Sequence, residues 1–374
     1  MSQRRSRWKW LPSLYFAEGL PFVAVMTVSV IMYKRLGVSN AEAAFFTSWL
    51  YLPWVIKPLW SPIVDILKTR RFWIVAMQLL VGAGFATVAL CIQADDFLRY
   101  SLAAFWLIAF SSATHDIAAD GFYILALSDH EQAWFVGIRN TFYRLAMIAG
   151  QGLLVMVAGF LENETNNVRL SWSIAFCLLA GIFVLLFAWH RQVLPRPGLD
   201  VIGKAESLAS LSAKFIHTFA AFFRKQHIGK VLSFLLLYRI AEAQLAKLAP
   251  PFLLDERALG GLGLATAEVG FVYGTVGALM LTLGGLLGGF LAARNGLRYW
   301  LWWMVAAINV PNLVYVLLAF AQPESVLLVT VAVGIEQFGY GLGFAAYTLY
   351  MLYVSRGAHS TAHFAICTGF MALG

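Results

Sequence analysis

Charge is what this sequence has least of. Only 12% of its 374 residues are Asp, Glu, Lys or Arg, and 60% are hydrophobic, where a soluble domain carries roughly a quarter charged residues. So little charge cannot wet the surface of a soluble globule, and that class is excluded. Cysteine is nearly absent as well. Cys91, Cys177 and Cys367 lie far apart inside apolar runs, which excludes a disulfide framework and a CxxC metal centre. No HExxH, GxSxG or catalytic Cys–His motif occurs in a span; the expectation is a protein that is not an enzyme and carries no cofactor or metal.

What the sequence has instead is long apolar runs. A helix crosses the hydrocarbon core in about 20 residues, and such runs lie near 11–33, 43–66, 72–93, 98–127, 134–161, 170–190, 229–253, 267–293, 298–320 and 325–355, with an eleventh beginning near 360. The eleventh run is cut at Gly374, and a helix ending in mid-membrane leaves carbonyls without partners, so a longer parent protein is expected. The basic start Arg4-Arg5-Ser6-Arg7 resembles a signal peptide, but no small-residue cleavage site follows and Glu18 interrupts the run, so it reads as the first span.

Twenty-seven Lys and Arg against 19 Asp and Glu leave a net charge of +8. Counted loop by loop, one alternate set of loops holds 18 basic residues and the other holds five, Lys34, Arg35, Arg99, Arg169 and Arg257. The positive-inside rule then puts the amino terminus of a multi-pass membrane protein in the cytoplasm. Topology accounts for the charge without nucleic acid. The expected organisation is an amino-terminal half over 1–190, a linker over 191–228 broken by Pro195-Arg196-Pro197-Gly198, and a carboxyl-terminal half over 229–374. Within the linker, Leu208, Leu211, Phe215, Phe219, Phe222 and Phe223 recur at helical spacing, a pattern for a helix lying on the membrane surface.

The halves echo each other. Gly289 to Arg298 after the eighth span and Ser61 to Arg71 after the second each resemble part of the G-x-L-x-D-R-x-G-R-R signature of major facilitator transporters. The first of these keeps Gly and Arg but has Ala293 at the Asp position; the second keeps Asp65 but not the Gly. Tyr15 precedes Glu18 in the first span as Tyr238 precedes Glu242 in the seventh. Asp65, Arg70, Arg71, Asp120, Arg139 and Arg294 are the candidate inner gate, in which basic loop residues and acidic helix ends bind a neighbouring helix terminus. The competing reading of the basic residues is topological charge alone.

Ionisable residues at membrane depth mark pathways, relays or structural pairs. Here they are Glu18, Lys57, His115, Asp116, Asp120, Arg144, Arg239, Glu242, Lys247 and Glu336. At about 1.5 Å per residue, Lys57, Arg239, Glu242 and Glu336 fall near the middle of their spans. Asp116 and Asp120 are four apart, on one helical face, with Arg144 as the expected intervening cation; gating and proton carriage are both open to this pair. Glu336 reads either as a partner of Lys57 or Arg239 or as a proton acceptor, and the following Gly339, Gly341 and Gly343 admit a close neighbour. His115 reads either as a relay to Asp116 or as a packing residue with one hydrogen bond. Trp60, beside Lys57, is the indole expected at the cavity.

Several stretches resemble the AmpG-type muropeptide permeases of the major facilitator superfamily: Gly19-Leu20-Pro21, Lys57-Pro58-Leu59-Trp60-Ser61-Pro62 with Asp65, Phe110 to Ile117 with Asp120, Tyr143 to Met147, Leu237-Tyr238-Arg239 with Glu242, and Ser360 to Ala365. Thr114-His115 and Ala146 depart from the usual pattern, which has a small residue and Gln at the first place and Gly at the second. The resemblance implies an all-α membrane protein of two six-helix halves, truncated here in its last helices. It implies proton-driven import of anhydromuropeptides by alternating access, acting as a monomer. Lys57, Trp60, Arg144 and Arg239 are then expected to hold the substrate's carboxylates and sugars, and Glu336, Glu242, Glu18 and Asp116 to couple protons. Another anionic solute, such as an acyl-coenzyme A or a siderophore, and a muropeptide sensor that does not transport, are the alternatives.

Overall fold

The computed structural model describes residues 7–61, 64, 67–127, 129–198, 200, 216–217, 219–355 and 360–373. Helix is the only regular structure, with no strand among the described residues. Hydrocarbon offers backbone groups no partners, so a spanning chain closes its hydrogen bonds within helices. Among the described residues, eight helices are long and apolar enough to cross a membrane. The chain forms two compact units, Met1–Ala205 and Glu206–Gly374, and the division falls inside the interval 191–228.

The first unit holds α1 (Leu11–Arg35), α2 (Asn40–Trp49), α3 (Leu52–Ile56), α4 (Arg70–Cys91) and α5 (Phe97–Ala126). Asp129–Ile148, Ala149–Leu154 and Val155–Thr165 run on as α6, and α7 is Val168–Val193. Side chains cap three starts: Ser39 accepts from Glu42 N, Thr69 from Phe72 N and Asn167 from Leu170 N, each satisfying an amide without a helical partner. α4 packs along its length on α5 and α7, and α1 packs on α6. At one end Trp10, Leu14, Tyr15, Ile74, Phe122 and Phe135 make a core. At the other, Arg35 Nη2 pairs with Glu162 Oε2 at 3.0 Å and Trp172 Nε1 donates to Glu162 Oε1 at 2.8 Å, tying the ends of α1 and α6 to the start of α7.

The second predicted span, one run over 43–66, is broken in the structure. α2 stops at Trp49, α3 restarts at Leu52, and Lys57–Leu59 form a tighter 3₁₀ turn. The cause is Pro53, whose ring excludes the carbonyl four residues back; that residue is Trp49, the last of α2. Two other helices carry wide π turns, Ala24–Val28 in α1 and Ala149–Leu154 in α6. They pack together, and a Cβ on Gly150 would stand 2.3 Å from Val23 Cγ1.

The second unit holds α8 (Ile228–Leu237), α9 (Ile240–Leu254), α10 (Thr266–Val269, Gly270–Gly277 and Ala278–Asn295, running on), α11 (Leu297–Ala321), α12 (Val326–Ser355) and α13 (Ser360–Leu373). The run predicted over 229–253 is therefore two helices, and the break leaves Arg239 at the start of α9. A third π turn, Gly270–Gly277, lies in α10. The glycines of α12 do what their spacing predicts. A Cβ on Gly341 would sit 2.0 Å from Leu281 O of α10, and one on Gly339 would sit 2.3 Å from Ala307 O of α11, so the alternating glycines bring a different helix against each face. Tyr238 and Tyr347 stack at 4.9 Å, and Tyr238 donates to Gly343 O at 2.9 Å. Of the residues expected on a surface helix, Phe222 is instead fully buried, against Phe370 and His363; Leu208, Leu211 and Phe215 lie outside the described residues.

Candidate functional site

Each unit gathers its own ionisable cluster. In the first, the 3₁₀ turn after α3 presents Lys57, whose Nζ stands 3.7 Å from Asp116 Oδ2 on α5. One helical turn along, Asp120 meets Arg139 of α6, Nη2 to Oδ1 2.7 Å. Arg139 lies over the rings of Tyr15, at 4.5 Å, and Tyr123, at 5.7 Å, so two aromatic faces hold its guanidinium in place. Asp116 and Asp120 thus each have their own cation, from two different elements. Arg144, expected to serve the pair, is exposed on α6.

Glu18, on α1, faces the same cluster and is within electrostatic reach of Asp120 and Asp116. It is buried, forms no ion pair among the described residues, and its Oε2 has no hydrogen-bond partner among them. Trp60 does not stand free in a cavity: its Nε1 donates to Thr114 Oγ1 at 3.2 Å and its ring lies on Phe110. It docks the turn carrying Lys57 onto α5.

In the second unit Arg239 turns back on its own helix. Its Nε and Nη2 donate to Glu242 Oε2 at 3.0 and 2.8 Å, Nη2 also donates to the Tyr340 hydroxyl at 3.1 Å, and the guanidinium lies over Tyr340 and Phe344. Glu336, 2% exposed, accepts from Gln337 Nε2 at 3.0 Å, with Tyr273 and Tyr315 beside it. Its partners among the described residues are neutral. Tyr273 and Tyr315 were not singled out in the sequence, because a scan for charge passes over tyrosines in an aromatic-rich chain.

The gate residues divide. Arg70 and Arg71 start α4, and their backbone amides donate to the two carboxylate oxygens of Asp200 at 2.8 and 3.1 Å. Arg71 also donates to the carbonyls of Arg191 and Leu194 at the end of α7, so it binds a neighbouring helix terminus, where the dipole favours a cation. Arg70 packs on α5, where a Cβ on Gly121 would meet its Nε at 2.3 Å. Asp120 and Arg139 form the ion pair above. Arg294 is exposed in the last turn of α10, and Asp65 lies outside the described residues. Asp200 had no signal in the sequence beyond its distance from Arg71.

His115 turns to α4, where Gln78 Nε2 lies 3.0 Å from its Nε2, and Gln78 in turn meets His190 of α7. Gln78 and His190 were passed over because neither is charged in the middle of a span.

The sequence and the fold have known relatives. The anhydromuropeptide permease of Escherichia coli is 27% identical over 373 residues, spanning 96% of this chain and 70% of that protein. A transporter named AmpG 4 from Rickettsia conorii is 24% identical over 377 residues, 96% of this chain and 85% of its own. Among solved structures, an inward-facing bacterial homologue of the human lysosomal transporter Spinster aligns with a TM-score of 0.73 at 16% identity, covering 98% of this chain and 80% of that one. A D-xylose–proton symporter aligns at 0.65 and 13% identity, covering 98% and 86%; both likenesses concern the fold. The sequence profile of the Major Facilitator Superfamily matches residues 13–374, and the chain, with its two helical units, belongs to that superfamily.

Proposed function

We propose that the protein is a proton-coupled importer of anhydromuropeptides, working by alternating access in a bacterial inner membrane with its amino terminus in the cytoplasm. The observation that carries the substrate class is the similarity to the Escherichia coli anhydromuropeptide permease across 96% of the chain. A muropeptide brings peptide carboxylates and sugar hydroxyls, which call for a few placed cations and polar groups. Lys57 is the preferred cation: its side chain is 34% exposed against 17% for Arg239, and it is held to its acid at 3.7 Å rather than 2.8 Å. A substrate carboxylate competes with Asp116 for Lys57 more easily than with Glu242 for Arg239.

Glu336 and Glu18 are the preferred proton carriers. A carboxyl without an ion pair takes up and gives up a proton without stranding a buried cation, whereas protonating Glu242 leaves Arg239 unmatched. Glu242 moves accordingly from carrier to structural partner in this proposal, and Asp116 becomes the counter-ion that substrate displaces. The test is uptake of labelled anhydromuropeptide into right-side-out and inverted vesicles, with and without a proton gradient. Accumulation driven by the gradient is expected. Glu336→Gln is expected to abolish accumulation and leave counterflow exchange intact, and Lys57→Met to abolish both. Full accumulation by Glu336→Gln refutes the coupling role, and no gradient-dependent uptake of the muropeptide refutes the substrate.

A further inference from the structure

A buried polar chain crosses the first unit apart from its carboxylates. Ser13 Oγ donates to Trp10 O at 3.2 Å and lies 2.9 Å from His190 Nε2; His190 Nδ1 lies 2.8 Å from Gln78 Nε2, which also reaches His115 Nε2 at 3.0 Å. Gln78 and His190 are wholly buried. His190 Nδ1 also lies 3.0 Å from Gln78 Oε1, so the amide serves either tautomer of His190, and in both a Gln78 N–H remains for His115 Nε2. The proton of His115 is then on Nδ1, which has no hydrogen-bond partner among the described residues. Gln78 is therefore the polar tie of His115 among the described residues. The chain is no proton wire, since an amide relays a proton only through its unstable imidic acid form.

Large side chains fix the two ends of α5, with Phe105 and Ile108 buried at one end, Ile108 against Gly84 of α4, and Phe122 and Tyr123 at the other, whereas the turns between them bury Ser111, Ser112, Ala113, Ala118 and Ala119. Faces of small residues allow close approach but give few knobs to set a rotation, and one buried polar contact is a known means of setting register. His115 and Asp116 are consecutive, about 100° apart around the helix. The rotation of α5 that places His115 on Gln78 is the one that aims Asp116 at Lys57.

We propose that Gln78 is a positioning residue: by holding His115 it fixes the rotation of α5 and so keeps Asp116 against Lys57. The inference rests on the reading of Lys57 and Asp116 as part of the transport machinery, but its test does not use transport. Dicyclohexylcarbodiimide adds to protonated carboxyls in apolar surroundings and spares carboxylates held by an ammonium group, and peptide mass spectrometry locates the adduct. In the purified full chain, Gln78→Met, which keeps the volume and removes the donor, is expected to raise labelling of Asp116 about tenfold, as for about 1.4 kcal/mol of lost pairing. Lys57→Met sets the ceiling, and Glu336 in the other unit is expected to stay at its wild-type level. Gln78→Glu, which keeps the length and accepts from His115 once the imidazole proton moves to Nε2, is expected to return Asp116 labelling toward wild type. His115→Leu cuts the same tie from α5, leaves Gln78 bonded to His190, and is expected to raise Asp116 labelling alike, which keeps the proposal testable where Gln78→Met fails to fold. Unchanged Asp116 labelling in whichever of the two variants elutes as a single folded species overturns the proposal, as does an equal rise at Glu336. Loss of muropeptide uptake by the wild type would sink the transport reading and leave this result standing.

Discussion

The two units solve one electrostatic problem differently. The first spreads its ion pairs over three elements: Lys57 after α3 serves Asp116 on α5, and Arg139 on α6 serves Asp120, also on α5. The second keeps its ion pair within one turn of a single helix, Arg239 with Glu242. Each cluster still holds one carboxyl with no ion pair among the described residues, Glu18 in the first and Glu336 in the second. Pairs between elements respond when the elements move, whereas a pair within one turn travels with its helix. The first cluster is thus suited to sensing a change in packing and the second to holding a fixed charge arrangement.

The largest stability effect is expected at Arg239. Arg239→Met strands Glu242, 3% exposed, and is expected to cost about 3–5 kcal/mol, while Arg239→Met with Glu242→Leu recovers most of it, because removing both members of a buried pair spares the unmatched charge. Unfolding in detergent measures both. Lys57→Met breaks a longer, more exposed pair and is expected to cost about 1.5–3 kcal/mol; a cost equal to that at Arg239 would erase the contrast between the units.

Helix contacts give a second comparison. Gly341→Ala drives a methyl toward a backbone carbonyl 2.0 Å away, whereas Gly84→Ala meets the movable Ile108 side chain at 2.5 Å with the nearest backbone atom at 3.8 Å. The first is expected to cost about 1–3 kcal/mol by overpacking and the second less. Asp200→Ala takes the acceptor from the first two amides of α4, with Thr69 still capping Phe72 N, and is expected to cost about 1 kcal/mol. Smallest of all, Glu18→Gln removes a carboxyl that has no ion pair to lose and is expected to change stability by under about 1 kcal/mol, while impairing gradient-driven uptake.

Much of the fold was legible because lipid leaves the chain few choices. Apolar runs of spanning length give helices, and the runs read near 72–93, 98–127 and 170–190 correspond to Arg70–Cys91, Phe97–Ala126 and Val168–Val193. The break in the second span was not read, although Pro53 announces it, because a hydropathy scan weighs polarity and ignores the missing amide. At the site, a scan for charge at membrane depth found the residues that form the Lys57–Asp116 and Arg239–Glu242 pairs and the acid of the Arg139–Asp120 pair, whose cation was read only as a gate residue. It could not assign partners, since pairing depends on how neighbouring helices are turned, and it offered Arg144 where Lys57 and Arg139 stand. Gln78, His190 and Asp200 stayed invisible for a related reason: an uncharged amide, a neutral imidazole and a loop carboxylate acquire meaning only from what the fold brings beside them.

The wide turns in α1, α6 and α10 carry a consequence for how this chain tolerates change in length. Each π turn holds one residue more than an ordinary turn, so the helical wheel drawn through Leu11–Val23 does not continue through Ser29–Arg35. Deleting a single residue from Ala24–Val28 would tighten that turn into regular helix and leave the side chains before and after it facing as they do now. The same deletion in α4, which has no such slack, would rotate everything beyond it by about 100°.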